Sequence, residues 1–185
     1  MNLRDIPNTI SVLRMVLVVP VAWFLLTQRY TEALLTFLVA GISDGVDGYL
    51  AKRFGWHSRL GSILDPLADK LLLVTTYVVL GWLEVLPLWL VITVVARDVV
   101  LFSGALAFHW LVGRYDMEPS WISKFNTVAQ IVLAVAAVAS LDLLPMLAGI
   151  VQGLIYVVLI TTLLSGADYV WTWGVRAYRA RRAPR

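Results

Sequence analysis

Long apolar blocks, broken only by short polar connections, constrain the fold of this chain before any motif is read. Each block is close to the ~20 residues that a helix needs to cross a bilayer. The six segments run from about Asn8 to Leu26, Glu32 to Lys52, Gly61 to Trp82, Pro87 to Trp110, Trp121 to Leu141 and Pro145 to Trp171. Pro20 is an expected kink in the first. Only 15% of the 185 residues are charged and the mean hydropathy is +0.81, whereas about a quarter of a soluble domain is charged. The expectation is an all-α integral membrane protein: one domain over residues 1–185, with six transmembrane helices in one bundle.

Charge placement orients that bundle. The net charge is +3, with basic residues gathered at Lys52, Arg53 and Arg59 and again from Arg176 to Arg185. GWLEVLP (81–87) and SLDLLP (140–145) each carry an acidic residue and no basic one. By the positive-inside rule, both termini, the 52–60 loop and the 111–120 loop face the cytoplasm. Arg29 lies on the other side, opposed by Glu32. Trp82, Trp110, Trp121, Trp171 and Trp173 fall near segment ends, where amphipathic rings prefer to sit. The first segment has Arg14 within it and no small-residue cleavage site after it, so it reads as a retained helix rather than a leader. There is no cysteine, which excludes thiol chemistry. No internal repeat is visible.

Within the apolar blocks stand four aspartates: Asp44 and Asp47 on the second segment, Asp65 and Asp69 on the third. Spacings of three and four put each pair on one helical face. Asp44 lies ~13 Å below the end of its helix, and Asp65 and Asp69 lie ~6 to 12 Å inside theirs at 1.5 Å per residue. The depths agree, so the four carboxylates are expected in one cavity open to the cytoplasm. Carboxylates that close repel one another and cost several kcal/mol each to bury. A hard divalent cation, Mg²⁺ or Mn²⁺, suits such an all-oxygen site. A metal pair there is a usual solution for chemistry on a diphosphate, whose charge Lys52, Arg53 and Arg59 at the mouth would match. Gly45, Gly48 and Gly61 would let helices and ligands approach closely.

Other readings compete. Intramembrane aspartates also serve proton relays, helix packing and cation transport, but a transporter would spread them along a path, often in repeated halves. A non-catalytic lipid-binding scaffold gives no reason for four converging carboxylates. Asp5, Asp116, Glu118 and Asp142 read as solvated loop or helix-end charges, and Asp168 could pair with Arg176.

The stretch SDGVDGYLAKRFGWHSRLGSILDPLADK (43–70) contains D-x-x-D-G-x-x-A, then G-x-x-x-D-x-x-x-D. It resembles the signature of the CDP-alcohol phosphatidyltransferases at Asp44, Asp47, Gly48, Ala51, Gly61, Asp65 and Asp69. Lys52 departs from it, standing where that family usually has Arg, which keeps the charge and loses the bidentate fork. The resemblance implies transfer of a phosphatidyl group from CDP-diacylglycerol to an alcohol, with release of CMP. It implies that Asp44, Asp47, Asp65 and Asp69 surround two metal ions, with Asp69 also the base that deprotonates the acceptor. Gly48, Ala51, Lys52 and Gly61 would line the nucleotide site. It further implies a homodimer. The expected location is a bacterial inner membrane.

The acceptor signal is weaker. IPNTISVLR (6–14) and DPLADK (65–70) resemble the phosphatidylglycerophosphate synthase and CMP-forming cardiolipin synthase branches. Arg97 and Asp98 interrupt the fourth segment, and Lys124, Asn126, Thr127 and Gln130 stripe the fifth. Neighbours in sequence do not face one another on a helix, so Arg97 and Asp98 are expected to have separate partners, although a mutual cluster is an alternative. Arg97 and Lys124 are candidates for an acceptor phosphate, with Arg114 as a substitute cation. The S-K-x-N-T of residues 123–127 resembles the cardiolipin synthase branch, whereas the other branch commonly shows G-K-x-K-T. Asn126 in place of a lysine lowers the positive charge, which suits the phosphodiester of phosphatidylglycerol better than the phosphomonoester of glycerol 3-phosphate.

Overall fold

The computed structural model describes residues 6–54, 61–112 and 120–182, and side chains over 10–43, 45, 67–104 and 120–172. Arg59, Arg114, Asp5, Asp116 and Glu118 lie outside the described residues. Among the described residues there are six α-helices and no strand: α1 (Ile6–Leu26), α2 (Tyr30–Phe54), α3 (Gly61–Trp82), α4 (Leu88–Val112), α5 (Trp121–Leu141) and α6 (Ala148–Arg182). Pro20 lies inside α1 without ending it. The first five expected segments match these helices within two residues, because each apolar run is bounded by turn-forming or charged residues, whereas α6 runs past the expected end at Trp171 to Arg182.

The turns have local causes. Between α1 and α2, Gln28 takes a positive φ of 60°, and the amide of Arg29 bonds back to the Phe24 carbonyl at 2.8 Å. Arg29 then pairs with Glu32 at 2.6 Å and stacks over Phe24. Glu84, at φ 59°, plays the same reversing part between α3 and α4. Ser120 caps α5 by accepting from the amide of Ser123. Thr31 donates to Asp142 at 2.8 Å, which ties the α1–α2 turn to the α5–α6 turn.

α1 packs chiefly against α2 and α3, and α5 chiefly against α6. α4 joins mainly through α6, while α2 and α3 lean on α1 more than on each other. The core is continuous across the bundle and includes Val21, Leu25, Tyr77, Leu80, Leu90 and Leu133. Outside it, large apolar side chains are as exposed as Val19 at 70%, Phe102 at 63% and Ile42 at 65%. Such a surface belongs in lipid: this is a membrane protein. Trp82 and Trp121 stand exposed at helix ends, as an interfacial belt requires, and Trp171 is exposed within α6 where its apolar run ends. By length and composition, two described stretches are apolar enough to cross a bilayer, Trp121–Leu141 and Pro145–Thr172, with shorter apolar stretches at Ile10–Leu26 and Tyr30–Ser43. The helices of the acidic motif fall short of that measure over their described parts.

Candidate active site

The acidic motif lies on two uninterrupted helices. Positions Asp44, Asp47, Gly48, Ala51 and Lys52 belong to α2, and Gly61, Asp65 and Asp69 to α3. Both helices are supported by α1. The side chains of Asp44, Asp47, Ala51, Lys52 and Asp65 lie outside those described. Among the described residues no group of three acidic, histidine or cysteine side chains gathers.

Asp69 is the member of the quartet whose side chain is described. Its carboxylate is about half exposed, while its partner Arg14 is 1% exposed. Arg14 Nη1 donates to Asp69 Oδ1 from α1. A buried guanidinium therefore backs a carboxylate that is itself about half exposed. Arg14 was not among the candidates read from the motif. Its signal in the sequence is a charge placed well inside an apolar helix, which is expensive unless it has a partner.

Next to Asp69, Lys70 Nζ donates to both oxygens of Asp98 on α4, at 2.7 and 2.8 Å. Asp98 also accepts from Arg97 Nη1 at 2.7 Å. The mutual Arg97–Asp98 contact, the alternative of the sequence reading, is thus present beside the separate partners. Their Cβ atoms diverge by roughly 100° at 3.6 residues per turn, but the long arginine stem reaches round to its neighbour. Each also has a further partner, as expected. Arg97 Nη2 donates to Ser123 Oγ on α5 at 2.6 Å and to Ser165 Oγ on α6 at 2.5 Å. Lys70, Asp98 and Ser165 are polar members that motif reading did not single out for the site.

The acceptor candidates separate. Arg97 is buried and its two terminal nitrogens are occupied within the bundle. Asn126 is fully buried between α5 and α6, where its Oδ1 accepts from Thr161 at 2.8 Å and Thr162 at 2.9 Å. Neither residue presents a free surface to an acceptor in this arrangement. Lys124 is exposed, with its ammonium 5.0 Å from the ring centre of Trp121. Gln130 is buried, and Thr127 bonds back to the Ser123 carbonyl, so part of the polar stripe of α5 turns inward.

The sequence profile of the CDP-alcohol phosphatidyltransferase family matches residues 4–167. The chain belongs to that family. Family relatives include the CMP-forming cardiolipin synthase of Streptomyces coelicolor, 40% identical over 130 residues, covering 67% of this chain and 59% of that protein. The CMP-forming cardiolipin synthase of Homo sapiens is 32% identical over 155 residues, 75% of this chain and 52% of that protein. A chloroplastic CDP-diacylglycerol–glycerol-3-phosphate 3-phosphatidyltransferase of Oryza sativa is 35% identical over 150 residues, 72% of this chain and 46% of that protein. The chain thus spans roughly half the length of these curated relatives.

Proposed function

We propose that this chain transfers the phosphatidyl group of CDP-diacylglycerol to a glycerol-based alcohol and releases CMP. The observation that carries the proposal is the family match over residues 4–167, which includes the complete aspartate spacing on α2 and α3. The acceptor we propose is phosphatidylglycerol, giving cardiolipin. Glycerol 3-phosphate remains the specific alternative, favoured by the similarity to the rice phosphatidyltransferase at 35% identity.

The donor set fits hard divalent cations: four carboxylates supply oxygen ligands and no sulfur or imidazole. Asp44, Asp47, Asp65 and Asp69 would hold Mg²⁺ or Mn²⁺, two ions per site. The chemistry supplied there by such ions would be neutralisation of phosphate oxygens and of the departing oxyanion of CMP. The protein's own groups have separate tasks. Asp69, about half exposed, would take the acceptor's proton, while Arg14 orients the carboxylate from behind. Gly48 and Gly61 let the diphosphate approach the backbone, and Ala51 and Lys52 line the nucleotide side. The acceptor oxygen bonds to the phosphorus that carries diacylglycerol, and the bond from that phosphorus to the CMP oxygen breaks. Exposed Lys124, together with Arg114, would hold the acceptor's phosphate; Arg97 and Asn126 support that surface from within the bundle.

We place six helices across a bacterial inner membrane, with both termini and the site on the cytoplasmic face, in a homodimer. The acyl chains of the donor then stay in lipid while its nucleotide enters from the cytoplasm. The test offers labelled CDP-diacylglycerol to the purified protein with either phosphatidylglycerol or glycerol 3-phosphate and identifies the lipid formed. CMP release is expected only with Mg²⁺ or Mn²⁺ and an acceptor, and Asp69→Asn is expected to abolish it with the fold intact. Activity that survives chelation would refute the metal assignment.

A further inference from the structure

The cluster around Asp98 does more than neutralise a buried arginine. Asp98 is 9% exposed and receives three hydrogen bonds from two cations, Lys70 on α3 and Arg97 on its own helix. The charge of Arg97 is already balanced by Asp98. Lys70 is 39% exposed, and its long flexible stem lets it snorkel toward a polar surface rather than depend on one carboxylate. It is nevertheless turned onto Asp98 with a bond to each oxygen.

The reason lies in how α3 and α4 meet. They touch closely beside their common turn, where a Cβ on Gly81 would stand 2.8 Å from Val91. From that turn an apolar groove of about 990 Å³ runs along both helices, lined by Val78, Trp82, Leu88, Val91, Ile92 and Val95. In lipid, apolar helix faces gain little from meeting each other, so polar contacts carry much of the spacing. The Lys70–Asp98 bond closes the α3–α4 pair beyond the groove, one residue from Asp69. Through Arg97, the same carboxylate is anchored to Ser123 and Ser165 on α5 and α6.

We infer that Asp98 is a positioning residue for Asp69: by clasping Lys70 and Arg97 together, it fixes the turn of α3 on which Asp69 stands. The inference rests on the proposed role of Asp69 in holding a divalent cation. Removing the Lys70 end of the bond leaves Arg97 paired with Asp98 and the packing of α4 on α6 in place but lets the Asp69 turn drift. Displacing a group of this kind lowers turnover by about ten- to a hundredfold.

The experiment compares the full-length protein with Lys70→Met, Lys70→Arg, Asp98→Asn and the Lys70→Met/Asp98→Asn double variant. Turnover and KM are measured with CDP-diacylglycerol, and Mn²⁺ binding is followed by electron paramagnetic resonance. The expected result is a lower kcat with little change in KM for both single substitutions, together with weaker Mn²⁺ binding. Lys70→Arg should restore most of the loss, and the double variant should be no worse than the poorer single one. Wild-type kcat and Mn²⁺ affinity in Lys70→Met would overturn the inference, leaving Asp98 a partner of Arg97 only. Additive losses with a raised KM would overturn it too, by making Lys70 a substrate contact. Should Asp98→Asn fail to fold, the Lys70→Met and Lys70→Arg pair decides, because Lys70 stands at the more exposed end of the bond. Failure of the cation reading looks different: the wild-type protein would itself bind no Mn²⁺, and the clasp would still be read from the non-additive loss of kcat.

Discussion

Replacing Asn126 by lysine separates a packing role from an acceptor-binding role at one position. Asn126 is fully buried, and its side-chain oxygen accepts from Thr161 and Thr162. Interhelical hydrogen bonds in membranes average about 0.6 kcal/mol, so losing two costs about 1.2 kcal/mol. Thr161 keeps a bond to the Val158 carbonyl, whereas no second bond is seen for Thr162 among the described residues. The larger cost is the ammonium, since a buried charge without a partner carries a penalty of several kcal/mol. The sum is about 4 kcal/mol or more, which for a chain of this size lowers the melting midpoint by roughly 10 °C. Asn126→Leu is the control. It forfeits the same two bonds but also removes the amide nitrogen Nδ2, which is buried without a partner among the described residues. An unsatisfied buried donor costs about 1–3 kcal/mol, so the leucine variant should stay within about 1 kcal/mol of wild type. Eight tryptophans make intrinsic fluorescence on heating, in detergent, a direct assay. Equal melting of the lysine and leucine variants would refute the reasoning and place residue 126 against water or substrate. A stable lysine variant that now prefers glycerol 3-phosphate would give Asn126 to the acceptor site.

Three further outcomes are expected. Gly104→Ala puts a Cβ 2.7 Å from Tyr169 Oη, which bonds the Leu101 carbonyl across α4 and α6; a loss of about 1–3 kcal/mol is expected in the same melting assay. Gln130→Met removes a buried side-chain amide that has no hydrogen-bond partner among the described residues and should leave the midpoint unchanged or raise it, with CMP release as the check on folding. Arg14→Met and Asp69→Asn should couple by about 0.5–3 kcal/mol in a double-mutant cycle, because each removes one end of the same ion pair.

The aspartate motif and the apolar blocks were legible from residues alone for physical reasons. Charge inside an apolar run is expensive, so spaced carboxylates carry information wherever they occur, and helix boundaries follow from where apolar runs end. The charged residues inside the fourth segment were legible as an anomaly, but their partners were not. Arg97 reaches Asp98 by the length of its stem and reaches Ser123 and Ser165 because α4, α5 and α6 come together. No spacing along the chain encodes that meeting. The same holds for Arg14, whose partner Asp69 is 55 residues away.

Sequence by itself determined that this chain is helical and apolar, that it carries the aspartate signature of its family, and which helices bear that signature. Those are properties of local pattern: periodicity, hydropathy and the cost of charge in lipid. Only the tertiary structure decided which polar residues turn inward. Asn126 and Lys124, two positions apart on one helix, look alike as candidates in sequence. One is sealed between two threonines of α6 and the other stands exposed beside Trp121. The face a polar group finds is set by how helices distant in sequence pack, and that packing is a property of the whole bundle.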